Sequence, residues 1–382
     1  MEKFLPYGRQ YIDDDDVNEV TRVLRSDFIT QGPKIDEFES KLAGYCGSKY
    51  AVTFNSGTSA LHGAYFALGL EKGQDMITSP NTFVATSNAA LYLGAKPVFV
   101  DVESETGNID VSKVENGINE KTRLIVPVHY SGNPADLKEL HEITEEHGLS
   151  MIEDAAHAVG AMYGGKRIGS CKYSSMAVLS FHPVKHITTG EGGAVLTNDG
   201  EYHERLMMFR SHGITRKNFK KPSDGDWYYE MHHLGYNYRI TDMQASLGIS
   251  QLKKLDRFVK RRRKIADMYN ELFAENPYFK TIVEKEGCKS SYHLYPILLK
   301  DGYRDKKREI FKKLRSEGLG VQVHYIPVHT QPYYRDNGYQ DTSCPVAEDF
   351  YRREISIPMY PAMDDEDVQF VAEKLFKVLE GG

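Results

Sequence analysis

Between residues 50 and 200 the chain alternates two patterns. Short continuous apolar runs occupy 51–54, 76–79, 97–100, 124–129, 150–153, 176–181 and 194–197. Intervening segments such as 59–68, 83–93 and 135–147 carry apolar residues at helical spacing. Strands that are apolar at successive positions are buried on both faces, so the pattern predicts a mostly parallel seven-stranded sheet with helices on both faces. Ligands of such sheets collect at the carboxyl ends of the strands.

The flanks read differently. Asp13-Asp14-Asp15-Asp16 precedes a segment with helical spacing from Val17 to Leu24. Acids suit a helix amino terminus, where the dipole is positive, and this capping role is preferred to a metal site. Residues 239–273 have the spacing of one long helix bridging two domains. Segments 293–299 and 321–325 read as strands, and 306–317 and 364–379 as helices of a smaller α/β unit. The basic run Arg261-Arg262-Arg263-Lys264 reads as the wet face of a helix. The polar loop 217–226, with Trp227 after it, is expected to move or to pack on a partner.

Composition narrows the function classes. The 382 residues, 40% hydrophobic and 27% charged, suit a globular protein with a large core. Lys+Arg 48 against Asp+Glu 54 argues against general nucleic-acid binding. Cys46, Cys171, Cys288 and Cys344 lie far apart without metal-site spacing, so free thiols in a reducing cytoplasm are expected. The start Met1-Glu2-Lys3-Phe4 lacks a signal peptide's apolar core, and no apolar stretch is long enough to span a bilayer. His324 and His329 suggest a metal pair, but core and substrate roles are preferred because no carboxylate lies near them in sequence.

The candidate chemistry centres on Ser180-Phe181-His182-Pro183-Val184-Lys185-His186-Ile187-Thr188-Thr189-Gly190-Glu191-Gly192-Gly193. Apolar runs on both sides make this strand, loop and strand, with one lysine held in the loop. A sheltered amine loses its proton more easily and can attack a carbonyl, which makes Lys185 a candidate Schiff-base former. A solvated loop lysine is the competing reading. Asn55-Ser56-Gly57-Thr58-Ser59 follows the first strand and opens a helix, where backbone N–H groups and the dipole favour a phosphate; an ordinary N-cap reads equally well. Glu153-Asp154-Ala155-Ala156-His157 ends another strand, with an acid able to pair with a cationic ring nitrogen; a helix cap and a core histidine read equally well. Taken together, lysine, acid and phosphate cup on the strand ends of one sheet match the needs of pyridoxal 5′-phosphate.

These residues carry a resemblance. With Thr82-Phe83-Val84-Ala85-Thr86 and Gly235-Tyr236-Asn237-Tyr238-Arg239, the chain is similar, nearly end to end, to sugar-nucleotide aminotransferases of the DegT/DnrJ/EryC1/StrS group, of type I aminotransferase fold. The resemblance implies an arm and large cofactor-binding domain over 1–240, and a bridging helix and small domain over 241–382. Within the group the chain resembles the transaminases of the pseudaminic acid pathway through Ile29-Thr30-Gln31-Gly32, Phe209-Arg210-Ser211-His212-Gly213, Gln322-Val323-His324-Tyr325 and Ala347-Glu348-Asp349-Phe350-Tyr351. Those enzymes aminate C4 of a UDP-linked 4-keto-6-deoxy N-acetyl-hexosamine, with L-glutamate as donor.

Carried over position by position, the resemblance makes Lys185 the cofactor's covalent partner and proton carrier, and Asp154 the partner of the ring nitrogen. It makes Phe83 a stacking ring, His157 a neighbour of the 3-hydroxyl, and Gly57, Thr58 and Ser180 holders of the phosphate. Asn237 is expected to reach the phosphate of a second subunit in a homodimer. Tyr7, Asp27, Phe28, Ile29, Thr30, Ser56, His182, Gln322, Val323, His324 and Tyr325 are expected around the sugar nucleotide, with no metal, nucleic acid or membrane partner. Three alternatives stand beside this: amination of another nucleotide sugar at C3 or C4, a dehydratase, and a catalytically silent regulator. Lys185 speaks against the dehydratase, whose family members carry histidine there.

Overall fold

The computed structural model describes residues 3–381. Seven strands make the central sheet: β1 (Tyr50–Phe54), β2 (Asp75–Thr78), β3 (Lys96–Phe99), β4 (Thr122–Val126), β5 (Ser150–Asp154), β6 (Met176–Ser180) and β7 (Gly193–Thr197). Their order is β1-β7-β6-β5-β4-β2-β3, parallel throughout except for β7, which runs against both its neighbours. All seven expected strands are present. The largest displacement is at 124–129: the strand ends at Val126, and beyond it only a single parallel bridge, Val128 to Asp154, continues the pairing.

Alternation along each strand feeds two cores. Met176 and Val178 of β6 join Val52, Phe54 and Ile152 on one face. Ala177 and Leu179 join Ile77, Ile125 and Phe181 on the other. A third core surrounds a small antiparallel sheet of β8 (Phe279–Thr281), β9 (Tyr295–Leu299) and β10 (Glu354–Ile357), covered by helices Lys307–Ser316 and Asp365–Glu380. The N-terminal arm joins this unit, as Leu5 and Pro6 pair in parallel with Leu319 and Gly320.

The acidic run caps its helix as expected. The Asp13 side chain accepts from Asp16 N–H, and Asp16 returns the contact in a capping box on helix Asp14–Leu24. Asp16 is also buried, 2.9 Å from the Lys254 amine.

Three expectations are corrected. The long helix is two, Asp242–Leu252 and Leu255–Leu272, because the chain turns at Lys253 and Lys254. Segment 321–325 is not a strand; only Gln322 makes a bridge, to Ser356, and the pairing with the arm is made by Leu319–Gly320. Nor is the basic run uniformly wet. Arg262 is fully buried, and one guanidinium nitrogen donates to the carbonyls of Tyr292, His293 and Met359 at 2.9–3.1 Å. Its neighbours Arg261 and Lys264 pair with Asp365, and Arg263 with Glu284.

Candidate active site

The topology decides where the predicted residues meet. Asp154 ends β5, and its neighbour β6 ends at Ser180 on the same edge of the sheet. Because β7 is reversed, its first residue, Gly193, lies at that edge too, paired with Ser180 on one side and Phe54 on the other. The connection 181–192, with Lys185 in it, therefore arches over the carboxyl edge. Ser56 caps helix Gly57–Leu68 at the same place.

A cavity of about 870 Å³ opens there. Its lining includes Tyr7, Ser56, Gly57, Thr58, Phe83, Asp154, His157, Ser180, His182, Lys185, Gln322, Val323, His324 and Tyr325. The structure thus brings fourteen of the nineteen predicted site residues together. Asp27, Phe28, Ile29, Thr30 and Asn237 are not among the lining residues, and all five are exposed. Thr30 bridges to Thr241, and Asn237 to Ser211. A separate surface hollow of about 790 Å³, with a basic rim that includes Arg257 and Lys260, holds none of the predicted residues.

Burial lowers the Lys185 amine from 10.5 to about 8, against the opposing pull of the Asp154 carboxylate. The side chain keeps some accessible surface toward the cavity. Asp154 is itself held firmly. The Thr86 hydroxyl donates to one carboxylate oxygen at 2.6 Å, and Ala156 N–H to the other at 3.1 Å.

His157 Nε2 lies 2.9 Å from the Tyr325 hydroxyl, while its Nδ1 is buried without a partner. Burial, helped by the charge on Lys185, keeps His157 and His293 well below the usual histidine range, so both are neutral. Their rings lie 4.4 Å apart. His329, by contrast, is buried outside the cavity against Glu348 at 3.0 Å.

The site suits pyridoxal 5′-phosphate on these observations. It has a poised amine, a fixed carboxylate and an orphaned imidazole nitrogen. It also has a close-packed turn built on glycine. A Cβ on Gly193 would meet the Ser56 carbonyl oxygen at 2.5 Å, and one on Gly57 would meet Ser180 Cβ at 3.1 Å. The turn thus leaves the N–H groups of the helix end open to an anion.

Residues 10–376 match the model of the DegT/DnrJ/EryC1/StrS aminotransferase family. The chain belongs to that family. It is a pyridoxal phosphate-dependent sugar-nucleotide aminotransferase. A relative in Campylobacter jejuni, UDP-4-amino-4,6-dideoxy-N-acetyl-beta-L-altrosamine transaminase, is 42% identical over 98% of this chain and 98% of its own. The solved structure of Helicobacter pylori PseC, an aminotransferase of pseudaminic acid biosynthesis, superposes with a TM-score of 0.94 at 37% identity over 100% of both chains. The Streptococcus pneumoniae sugar aminotransferase Spr1654, solved in its PLP form, superposes with a TM-score of 0.93 at 29% identity, over 99% of each chain.

Several cavity residues had no role assigned from sequence. Thr86 lay inside a motif that carried the resemblance, and its spacing of four from Thr82, whose hydroxyl it meets at 2.7 Å, was the available signal. His293 opened a segment read as an apolar strand, and its place on the cavity wall follows from long-range packing.

Proposed function

We propose that this enzyme transfers the amino group of L-glutamate to C4 of a UDP-linked 4-keto-6-deoxy N-acetyl-hexosamine, giving the 4-amino sugar nucleotide and 2-oxoglutarate, as a step toward pseudaminic acid. The observation that carries this reading is the single cavity in which Lys185, Asp154 and the Ser56-Gly57-Thr58 turn meet Tyr7, His182 and Gln322 to Tyr325. Its volume lies in the upper part of the roughly 300–1,000 Å³ usual for small-molecule sites, which leaves room for a second ligand beside a cofactor. Relatives named as transaminases of UDP-4-amino-4,6-dideoxy-N-acetyl-beta-L-altrosamine, the 4-amino product of this reaction, support the choice of sugar.

The cofactor, when bound, supplies an electron sink for the substrate carbon. Asp154, fixed by Thr86 and Ala156, would hold a proton on the cofactor's ring nitrogen, the helix end at Gly57 and Thr58 with the Ser180 hydroxyl would hold its phosphate, and Phe83 would pack on its ring. Lys185 takes the proton from the carbon of the donor and returns one to C4 of the sugar. Both half-reactions use the same cavity, so donor and acceptor alternate.

We extend the proposal to a cytoplasmic homodimer with a shared site. Asn237 and the segment from Asp27 to Thr30 lie outside their own chain's cavity, next to exposed apolar residues such as Phe28, Met231 and Leu234. A second copy offers these groups an occupant. Sedimentation as a monomer at assay concentration contradicts the shared site.

The decisive experiment measures 2-oxoglutarate released from L-glutamate with a panel of keto-sugars: UDP and dTDP, C3 and C4, with and without the N-acetyl group. The UDP-linked 4-keto altrosamine should give the highest kcat/KM. A tenfold preference for any C3 ketone or dTDP sugar replaces the proposed substrate.

A further inference from the structure

A buried chain of polar groups stands behind the cavity wall. Glu354 and Ser356 are fully buried on β10, two residues apart and therefore on one face of that strand. The antiparallel bridge between Gln322 and Ser356 lays residues 322–324 beside them. One Glu354 oxygen accepts the backbone N–H of His324 at 2.8 Å. The other accepts the Ser356 hydroxyl at 2.5 Å, and Ser356 Oγ lies 2.9 Å from His324 Nδ1. The Tyr130 hydroxyl donates to the His324 carbonyl at 2.6 Å, so the backbone of this residue is held from both sides. The imidazole itself lines the cavity beside Tyr7, ring centroids 5.3 Å apart. Among the described residues, no hydrogen bond reaches its Nε2.

The donor count fixes the proton. A hydroxyl has one hydrogen, and Ser356 gives it to a carboxylate, the stronger acceptor. Toward His324 its oxygen can then only accept, so Nδ1 carries the hydrogen. Burial and the nearby Lys185 push the His324 imidazole down to about 3, so the ring is neutral. A neutral ring protonated at Nδ1 has a lone pair at Nε2.

We infer that Glu354 and Ser356 set the tautomer of His324, so that its Nε2 presents an acceptor to the cavity and selects a nucleotide sugar with a hydroxyl or amide N–H at that point. The inference rests on the proposed sugar-nucleotide reading of the cavity, and deepens it by assigning Glu354 and Ser356 as positioning residues.

The arrangement is reversible by one proton. On a protonated Glu354, the hydrogen sits on the oxygen facing Ser356, because the other oxygen already accepts an N–H. Ser356 then donates to Nδ1, and Nε2 becomes a donor. Burial raises the Glu354 carboxyl above the usual carboxylate range, against the opposing effects of Ser356, of Lys307 from helix Lys307–Ser316, whose amine burial lowers in turn, and of the His324 N–H. The phenols of Tyr130 and Tyr325 also face it. The acceptor form thus belongs to the higher-pH state, in which Glu354 is ionised.

Glu354→Gln locks the reversed state, since the carboxamide can donate to Ser356 while still accepting from His324 N–H. Neutron diffraction from the purified full-length enzyme should place deuterium on Nδ1 of His324 in the wild type above pD 8, and on Nε2 in Glu354→Gln. Kinetically, KM for the sugar nucleotide should rise about tenfold in the variant, the equivalent of one lost hydrogen bond, with kcat changed less than threefold. The wild-type KM should rise as pH falls and Glu354 takes up its proton, and the variant's should not. If Glu354→Gln does not fold, Ser356→Ala must abolish the fixed preference for Nδ1. Deuterium on Nε2 in the wild type, or an unchanged KM profile in Glu354→Gln, overturns the inference. Failure of every nucleotide sugar as substrate would sink the functional reading instead, and the deuterium positions would still decide the tautomer.

Discussion

The Lys185 amine is the group whose state the enclosure controls most directly. At pH 7 an amine at 10.5 is neutral about 0.03% of the time, whereas one at about 8 is neutral about 10% of the time. Burial therefore raises the concentration of the nucleophile by a factor of about 300. The adjacent Asp154 works in the opposite direction, because its negative charge stabilises the ammonium. Replacing Asp154 by Asn should therefore lower the amine further, even though it removes a group needed by the cofactor. Trace acylation of cofactor-free protein across a pH series, with peptide mass spectrometry, reports the titration of each lysine separately. Lys185 should become reactive with a midpoint near 8, and Asp154→Asn should move that midpoint down. A wild-type midpoint above 10, or one that Asp154→Asn leaves in place or raises, would refute the account of the site.

Two further outcomes follow from packing. Gly193→Ala puts a methyl group 2.5 Å from the Ser56 carbonyl and 2.8 Å from Gly57 Cα, so the phosphate-facing turn must shift; the Kd for pyridoxal phosphate, measured by fluorescence titration, should rise at least tenfold. Arg262→Leu leaves the carbonyls of Tyr292, His293 and Met359 without their donor in the interior; urea unfolding should show a loss of about 3–5 kcal/mol, in the range for breaking a buried polar network, and a loss below 1 kcal/mol contradicts the strut role.

What could be read from the sequence follows the range of the interactions involved. The strands of the central sheet are continuous apolar runs, so their burial is written locally, and the carboxyl ends of neighbouring parallel strands meet by construction. Asp154 and Ser180 were legible for that reason. Arg262 was misread because a run of four bases hides its own phase. Phe258 and Val259 lie four and three residues before it, and Ile265 and Ala266 three and four after, so helical spacing puts Arg262 on the buried face. Glu354 and Ser356 were missed for a related reason. Their alternation with Ile355 and Ile357 shows a strand with a polar face, but only the fold shows that His324 lies against it. Asp27 to Thr30 and Asn237 lie outside their own chain's cavity, bridged through Thr30 to Thr241 and through Asn237 to Ser211, and a residue expected to serve a second subunit has no local signal that says which copy it faces.

The reversed strand explains why one short loop can carry the reactive lysine. Had β7 run parallel to β6, its first residue would lie at the opposite edge, and the connection would need a crossover of a dozen or more residues, usually a helix, along one face. An amine in such a crossover would travel away from Asp154. With β7 antiparallel, both ends of the 181–192 connection are anchored at the same edge, by Ser180 on β6 and Gly193 on β7. Its interior is tied down as well: Thr188 and Thr189 both bond to the carbonyl of Phe181, and His186 to that of Ser291. The hairpin therefore fixes the amine relative to the very strands that present the carboxylate and the phosphate-facing turn, and strand direction, more than loop sequence, is what makes Lys185 the reactive residue.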